Sequence, residues 1–258
     1  MMKYKTQLLV DRFTKILSAW SGVECVSLNE TALVDTLHPY FALIFDVFYA
    51  SPIPAIEERR RLFEEGAIAF ESQPNKDRFL VGEIPVRLEY KSTEKLDELV
   101  SIADSKYESL WLIKDSGTYG FYRLTHGDIL FKRSDWITTV RNRLSVLDQF
   151  FWDQMRASNQ SKMEHLLNDL GAALFEEDDF YYLISESLFI KTVCLTLFCI
   201  NHRFEPSHRA YYKQMLKLPV LPDGFHAQFD SFLRSDVEMT RTRKYTLAQV
   251  IARSIINL

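Results

Sequence analysis

The chain has 258 residues, 47% apolar and 26% charged, a balance that fits one large folded domain or two modest ones and excludes disordered and collagen-like classes. Lysine and arginine number 31 against 35 aspartates and glutamates, a formal charge of -4. No global positive field points to nucleic acid, and no basic stripe with interleaved aromatics does so locally.

The three cysteines, Cys25, Cys194 and Cys199, lack metal-binding spacing and sit among apolar neighbours. Free buried thiols in a reducing cytoplasm are expected. The N-terminus enters helical periodicity without a signal-type apolar core, and the run 188–200 carries Lys191 and is too short to span a bilayer. A cytoplasmic protein with no membrane association follows as an expectation.

In chain order, Leu8, Leu9, Phe13, Ile16 and Leu17 recur at helical spacing over 3–19, and Trp20-Ser-Gly22 ends that helix. Residues 23–28 alternate as a short strand. Asn29-Glu30-Thr31 caps a short segment over 32–37, which His38-Pro39 breaks. The stretch 40–49 reads as a buried strand with one charge in it, Asp46. A carboxylate there costs roughly several kcal/mol unless it is paired, metal-bound or at the strand's open end. The spacing predicts a charged helix over 55–70, with arginines 59–61 facing water or an anion, and a turn over 71–77.

A second long strand over 78–90 is interrupted by Gly82 and Pro85. At its end Val86, Leu88 and Tyr90 share one face, Arg87 and Glu89 the other. A helix over 92–103 and short strands over 107–113, 119–123 and 128–131 lead to a domain boundary near 132–134. From Trp136 the pattern predicts a bundle with helices over 137–155, 162–174, 180–200, 207–218, 224–233 and 246–256, the last preceded by a polar linker over 235–244. His165 and Asp169 stand one turn apart in it. The expected organisation is an α/β mixed-sheet domain over 1–133 and an all-helical domain over 134–258, with a functional cleft between them.

The chain has no phosphate-binding loop, dinucleotide fingerprint, HExxH motif, nucleophile elbow or zinc motif. Two strand-end carboxylates remain, Asp46 and Glu89, with Arg87 and Lys91 close by. Carboxylates converging on one sheet edge bind Mg²⁺, and basic residues beside them hold a triphosphate.

The order of early helix, short strand, aspartate-bearing strand, later carboxylate-bearing strand and helical C-terminal half resembles the nucleotidyltransferase superfamily. The resemblance is to its two-domain, antibiotic nucleotidyltransferase-like branch and that branch's bacterial relatives. In that family a Gly-Ser pair follows the first strand, two carboxylates one residue apart sit on the next strand, and a third sits on a later one. On this resemblance Asp46 belongs to the doublet and Glu89 is the third. The segment from Leu197 to Arg209 resembles the family's helix end facing the nucleotide, which implies Arg209 in the basic position with Asn201 and Arg203 nearby. The chain departs from the pattern at Ser27-Leu-Asn29-Glu30, where the family has Gly-Ser, and at Ile44 and Phe48, which leave the doublet with one member. Asp35 or Glu30 is then the expected substitute metal ligand.

Three readings stay open. One is a Mg²⁺-dependent transfer of a nucleoside monophosphate from an NTP to a small hydroxylated acceptor, with Arg209 and either Arg87 or Lys91 on the phosphates and Glu164 or Asp169 as base. Another is an inactive protein of the same fold that binds a nucleotide or serves as a regulatory or toxin–antitoxin partner. The last is a different α/β-plus-helical fold, in which Asp46 caps a strand.

Overall fold

In the computed structural model residues 4–33 and 35–258 are described. Lys3 and Val34, each inside an expected helical segment, lie outside them. The chain forms an N-terminal mixed α/β sheet followed by a largely helical C-terminal part. It divides into two compact units, Met1–Glu108 with Arg123–Val146, and Ser109–Tyr122 with Leu147–Leu258.

The first unit begins with helix α1 (Tyr4–Ser18), strand β1 (Val23–Leu28), β2 (Leu43–Tyr49) and helix α2 (Ile56–Phe63). Three strands follow, β3 (Ala67–Gln73), β4 (Lys76–Val81) and β5 (Ile84–Ser92), and then α3 (Thr93–Asp104). The sheet is completed by β6 (Asp128–Lys132), and α6 (Trp136–Ser145) closes the unit. Strand order is β3-β4-β5-β2-β1-β6, with β2 and β5 parallel and the other pairings antiparallel.

Alternation sorts the two faces. Val10, Phe13 and Leu17 of α1 pack on Phe45, Phe79, Val86 and Leu88, and Phe13 meets Phe45, Phe63 and Phe79 edge-on at 5.6–6.0 Å. Those strand residues alternate with Asp46, Arg87 and Glu89, which therefore point to the opposite face.

The expected helix over 55–70 stops at Phe63, and Gly66 in a left-handed conformation (φ 72°) turns the chain into β3. The expected turn over 71–77 is the β3–β4 hairpin, and the expected strand over 78–90 is two strands joined at Gly82 (φ 61°). Arg59 does not face water. It is buried with Asp77, which it meets at 2.9 Å, and Tyr90 donates to the same carboxylate at 2.6 Å.

In the helical unit, α7 (Gln149–Phe175) and α8 (Asp179–Ile200) form a long hairpin, capped at their starts by Asp148 and Asp178. Helices α9 (Tyr211–Met215), α10 (Phe225–Leu233) and α11 (Arg241–Ile256) complete a core containing Phe189, Leu197, Phe225, Phe229, Phe232 and Ile251. The expected helix over 137–155 is broken after Ser145, and part of the expected 235–244 linker is the first turn of α11. By length and composition α8 could cross a bilayer, unlike the shorter run isolated from sequence; half of its most apolar window is buried.

The expected strands over 107–113 and 119–123 are instead helical, α4 (Trp111–Ser116) and α5 (Tyr119–His126). Their aromatic residues follow a helical stripe that resembles strand composition over so short a stretch.

Candidate functional site

Parallel pairing of β2 and β5 sets Asp46 directly beside Glu89, with Ile44 beside Arg87 and Phe48 beside Lys91. Asp46 and Glu89 therefore share a face in direct register, as the sequence reading required of a metal pair. Asp46 is 1% exposed.

The space between the two carboxylates is taken by Arg123 of α5. Its Nε donates to Asp46 Oδ2 at 3.0 Å, one terminal nitrogen donates to Asp46 Oδ1 at 2.6 Å, and the other donates to Glu89 Oε2 at 2.7 Å. Lys91 Nζ lies 2.5 Å from Asp46 Oδ1, and Lys76 Nζ lies 3.9 Å from Glu89 Oε1. Burial alone pushes the Glu89 carboxyl up, but the charges of Arg123 and Lys91 and the Arg123 hydrogen bond outweigh it and hold Glu89 below the usual carboxylate range.

Local structure fixes Arg123 in this place. Arg141 of α6 donates to the carbonyls of Leu124 and Gly127 at 2.8 and 2.5 Å, satisfying the C-terminal end of α5. A Cβ at Gly127 would stand 2.9 Å from Ser27 Oγ and 3.0 Å from the Arg123 carbonyl, so glycine allows the helix end to approach β1. Ser27, opposite Asp46 on β1, keeps its buried Oγ without a hydrogen-bond partner among the described residues.

The donor set does not fit Mg²⁺. That ion takes about six oxygen ligands in octahedral geometry, usually one or two carboxylates with water and phosphate oxygens. Here both Asp46 oxygens and one Glu89 oxygen already accept from cations. Among the described residues no group of three or more His, Cys, Asp or Glu side chains is arranged to hold a metal. Asp35, the expected substitute ligand, is exposed and accepts the Leu37 amide at 2.8 Å. Glu30 begins a short 3-10 turn.

Of the expected phosphate ligands, Lys91 reaches Asp46, whereas Arg87 lies on the same face and makes no hydrogen bond or ion pair among the described residues. The other expected site residues belong to the helical unit. Glu164, Arg203 and Arg209 are exposed, and Asp169 faces His165 at 3.8 Å. Asn201 ends α8, donating to the Leu197 and Val220 carbonyls and accepting the Val220 amide, each at 2.8 Å. His202 follows in a left-handed conformation (φ 51°), with Arg203 N–H donating to the Phe198 carbonyl and His202 N–H to the Cys199 carbonyl, the hydrogen-bond pattern of a Schellman helix stop.

Arg123 was the residue that sequence inspection missed. The signal was indirect: a carboxylate inside an apolar strand requires a partner, and an arginine is the side chain best shaped to bridge two carboxylates.

No protein-family model and no curated protein matches the sequence. Among solved structures, the chain is similar to a nucleotidyltransferase-like protein from Exiguobacterium sibiricum 255-15, at 10% identity and a TM-score of 0.50, over 98% of this chain and 74% of that one. The fold of this chain is thus nucleotidyltransferase-like.

Proposed function

We propose that this chain is a catalytically inactive protein of nucleotidyltransferase-like fold that binds a nucleotide without a metal. The observation that carries this reading is the Arg123 bridge between Asp46 and Glu89. Nucleotidyl transfer through two metals needs carboxylates free to bridge the ions. Here a guanidinium stands in the place of the cation, and the doublet position is apolar.

The same sheet face supports anion binding. Lys76, Arg87, Lys91 and Arg123 are four cations against the two carboxylates Asp46 and Glu89, and Arg87 is the member with no hydrogen-bond or ion-pair partner among the described residues. A polyphosphate is the nucleotide group that matches such a surplus. In this reading the protein works in the cytoplasm, where its three buried cysteines stay as thiols.

Calorimetric titration of the full chain with ATP, GTP, CTP and UTP tests this, in EDTA and again in Mg²⁺, alongside a pyrophosphate-release assay with hydroxylated acceptors. Binding in EDTA, weakened about tenfold or more by Arg87→Glu, and no pyrophosphate are expected. Pyrophosphate release in Mg²⁺ that Asp46→Asn abolishes would restore the transferase reading. Failure of all four nucleotides to bind would remove the nucleotide from the proposal.

A further inference from the structure

The helical unit holds a cavity of about 530 Å³. That is the size of a small-molecule site, and its lining divides by chemistry. Met155, Leu195, Phe198 and Cys199 supply an apolar floor, where Met155, Phe198 and Cys199 are buried. Lys114, Lys162 and Lys191 stand around it, the last two exposed.

None of the three lysines forms an ion pair with a carboxylate among the described residues. Lys114 Nζ donates to the neutral Gln154 amide oxygen, and Lys162 Nζ to the Lys114 carbonyl, each at 3.0 Å. Two acidic residues also line the cavity. Glu205 is buried and held by three hydrogen bonds, since Oε1 accepts the Thr118 and Tyr119 amides at 3.0 and 3.2 Å and Oε2 accepts from Tyr211 at 2.8 Å. Asp115 is exposed to solvent.

Buried Asn159 adds a polar group inside. Its side-chain amide donates to the Cys199 sulfur at 3.4 Å, and sulfur is a weak acceptor that leaves amide capacity for a ligand. An apolar floor with uncompensated ammonium groups at its rim selects a ligand that is apolar at one end and anionic at the other.

We propose that this cavity binds an anionic amphiphile, with a carboxylate or phosphate head on Lys162 and Lys191 and an apolar body over Met155 and Phe198. The site is independent of the nucleotide reading, because every residue it uses lies in the helical unit.

The test uses the full chain and decanoate, decanol and acetate as probes, followed by calorimetry and by the methyl NMR signal of Met155, assigned with Met155→Leu. Decanoate is expected to bind with one-to-one stoichiometry, about tenfold more tightly than decanol, and to shift the Met155 methyl, while acetate does not. The double variant Lys162→Met/Lys191→Met, altered at two exposed positions, is expected to lower decanoate affinity about tenfold with an unchanged thermal melt. Arg87→Glu is expected to leave decanoate binding intact, whatever it does to nucleotide binding. Equal affinity for decanol, full affinity in the double lysine variant, or a Met155 methyl that does not move would overturn the proposal.

Discussion

Arg123 answers the electrostatic problem that Asp46 poses, because its planar fork reaches both Asp46 and Glu89 from one helix position. Removing one partner of a buried pair leaves an uncompensated charge, which costs about 3–5 kcal/mol. Because Lys91 stays beside Asp46, Arg123→Met is expected to destabilise the first unit by up to about that amount in urea unfolding, and adding Asp46→Asn is expected to recover part of the loss. The recovery is what distinguishes a charge left alone from a simple loss of packing.

Because the Glu89 carboxyl is held below its ordinary value of 4.5, its pairing stabilises the fold fully above that value and loses effect as pH falls through the lower, folded-state value. The stability difference between wild type and Glu89→Gln should be constant near neutral pH and shrink below pH 4.5. A difference that persists unchanged in strong acid would assign the effect to packing. The thiols test burial separately. Desolvation pushes Cys25, Cys194 and Cys199 up to about 12, so none should react readily with a thiol reagent in the native protein, and all three should react after denaturation.

Elements whose periodicity extends over several turns or a clean alternation were legible in the sequence. α1, α3 and α8 fall where their apolar spacing places them, and the alternation over 86–90 falls inside β5; that β2 and β5 pair with Asp46 beside Glu89 was not readable from the sequence. The β3–β4 hairpin was only partly legible: its turn falls in the expected turn over 71–77, but left-handed Gly66 sits inside a charged segment that scans as helix and hides β3, and left-handed Gly82 divides β4 from β5 inside what scans as one strand. The α4–α5 segment misled for a different reason: Tyr119, Phe121 and Tyr122 carry strand-like composition, and tertiary packing decides over propensity in so short a stretch.

The conformation of the α4–α5 junction makes a sharp prediction. Gly117 has φ 78°, and a Cβ there would lie 2.2 Å from Glu205 Oε1, the oxygen that receives the Thr118 and Tyr119 amides. Gly117→Ala is expected to cost at least about 1 kcal/mol in denaturant unfolding, through backbone strain and through displacement of the buried carboxylate. A neutral effect would show that Glu205 yields without losing its partners.

At the level of the whole molecule, the element order carried the fold and the missing doublet carried the doubt about chemistry. A likeness at 10% identity establishes the nucleotidyltransferase-like fold, and function rests on the side chains of the site. Those side chains pair two carboxylates with an arginine and a lysine. The most direct measurement is titration of the full chain with Mn²⁺, counting free ion by electron paramagnetic resonance at concentrations up to about 1 mM, the range of weak carboxylate sites. Wild-type protein is predicted to take up no more ion than Asp46→Asn. Stoichiometric uptake by wild type that Asp46→Asn removes would contradict the account and make Asp46 a metal ligand.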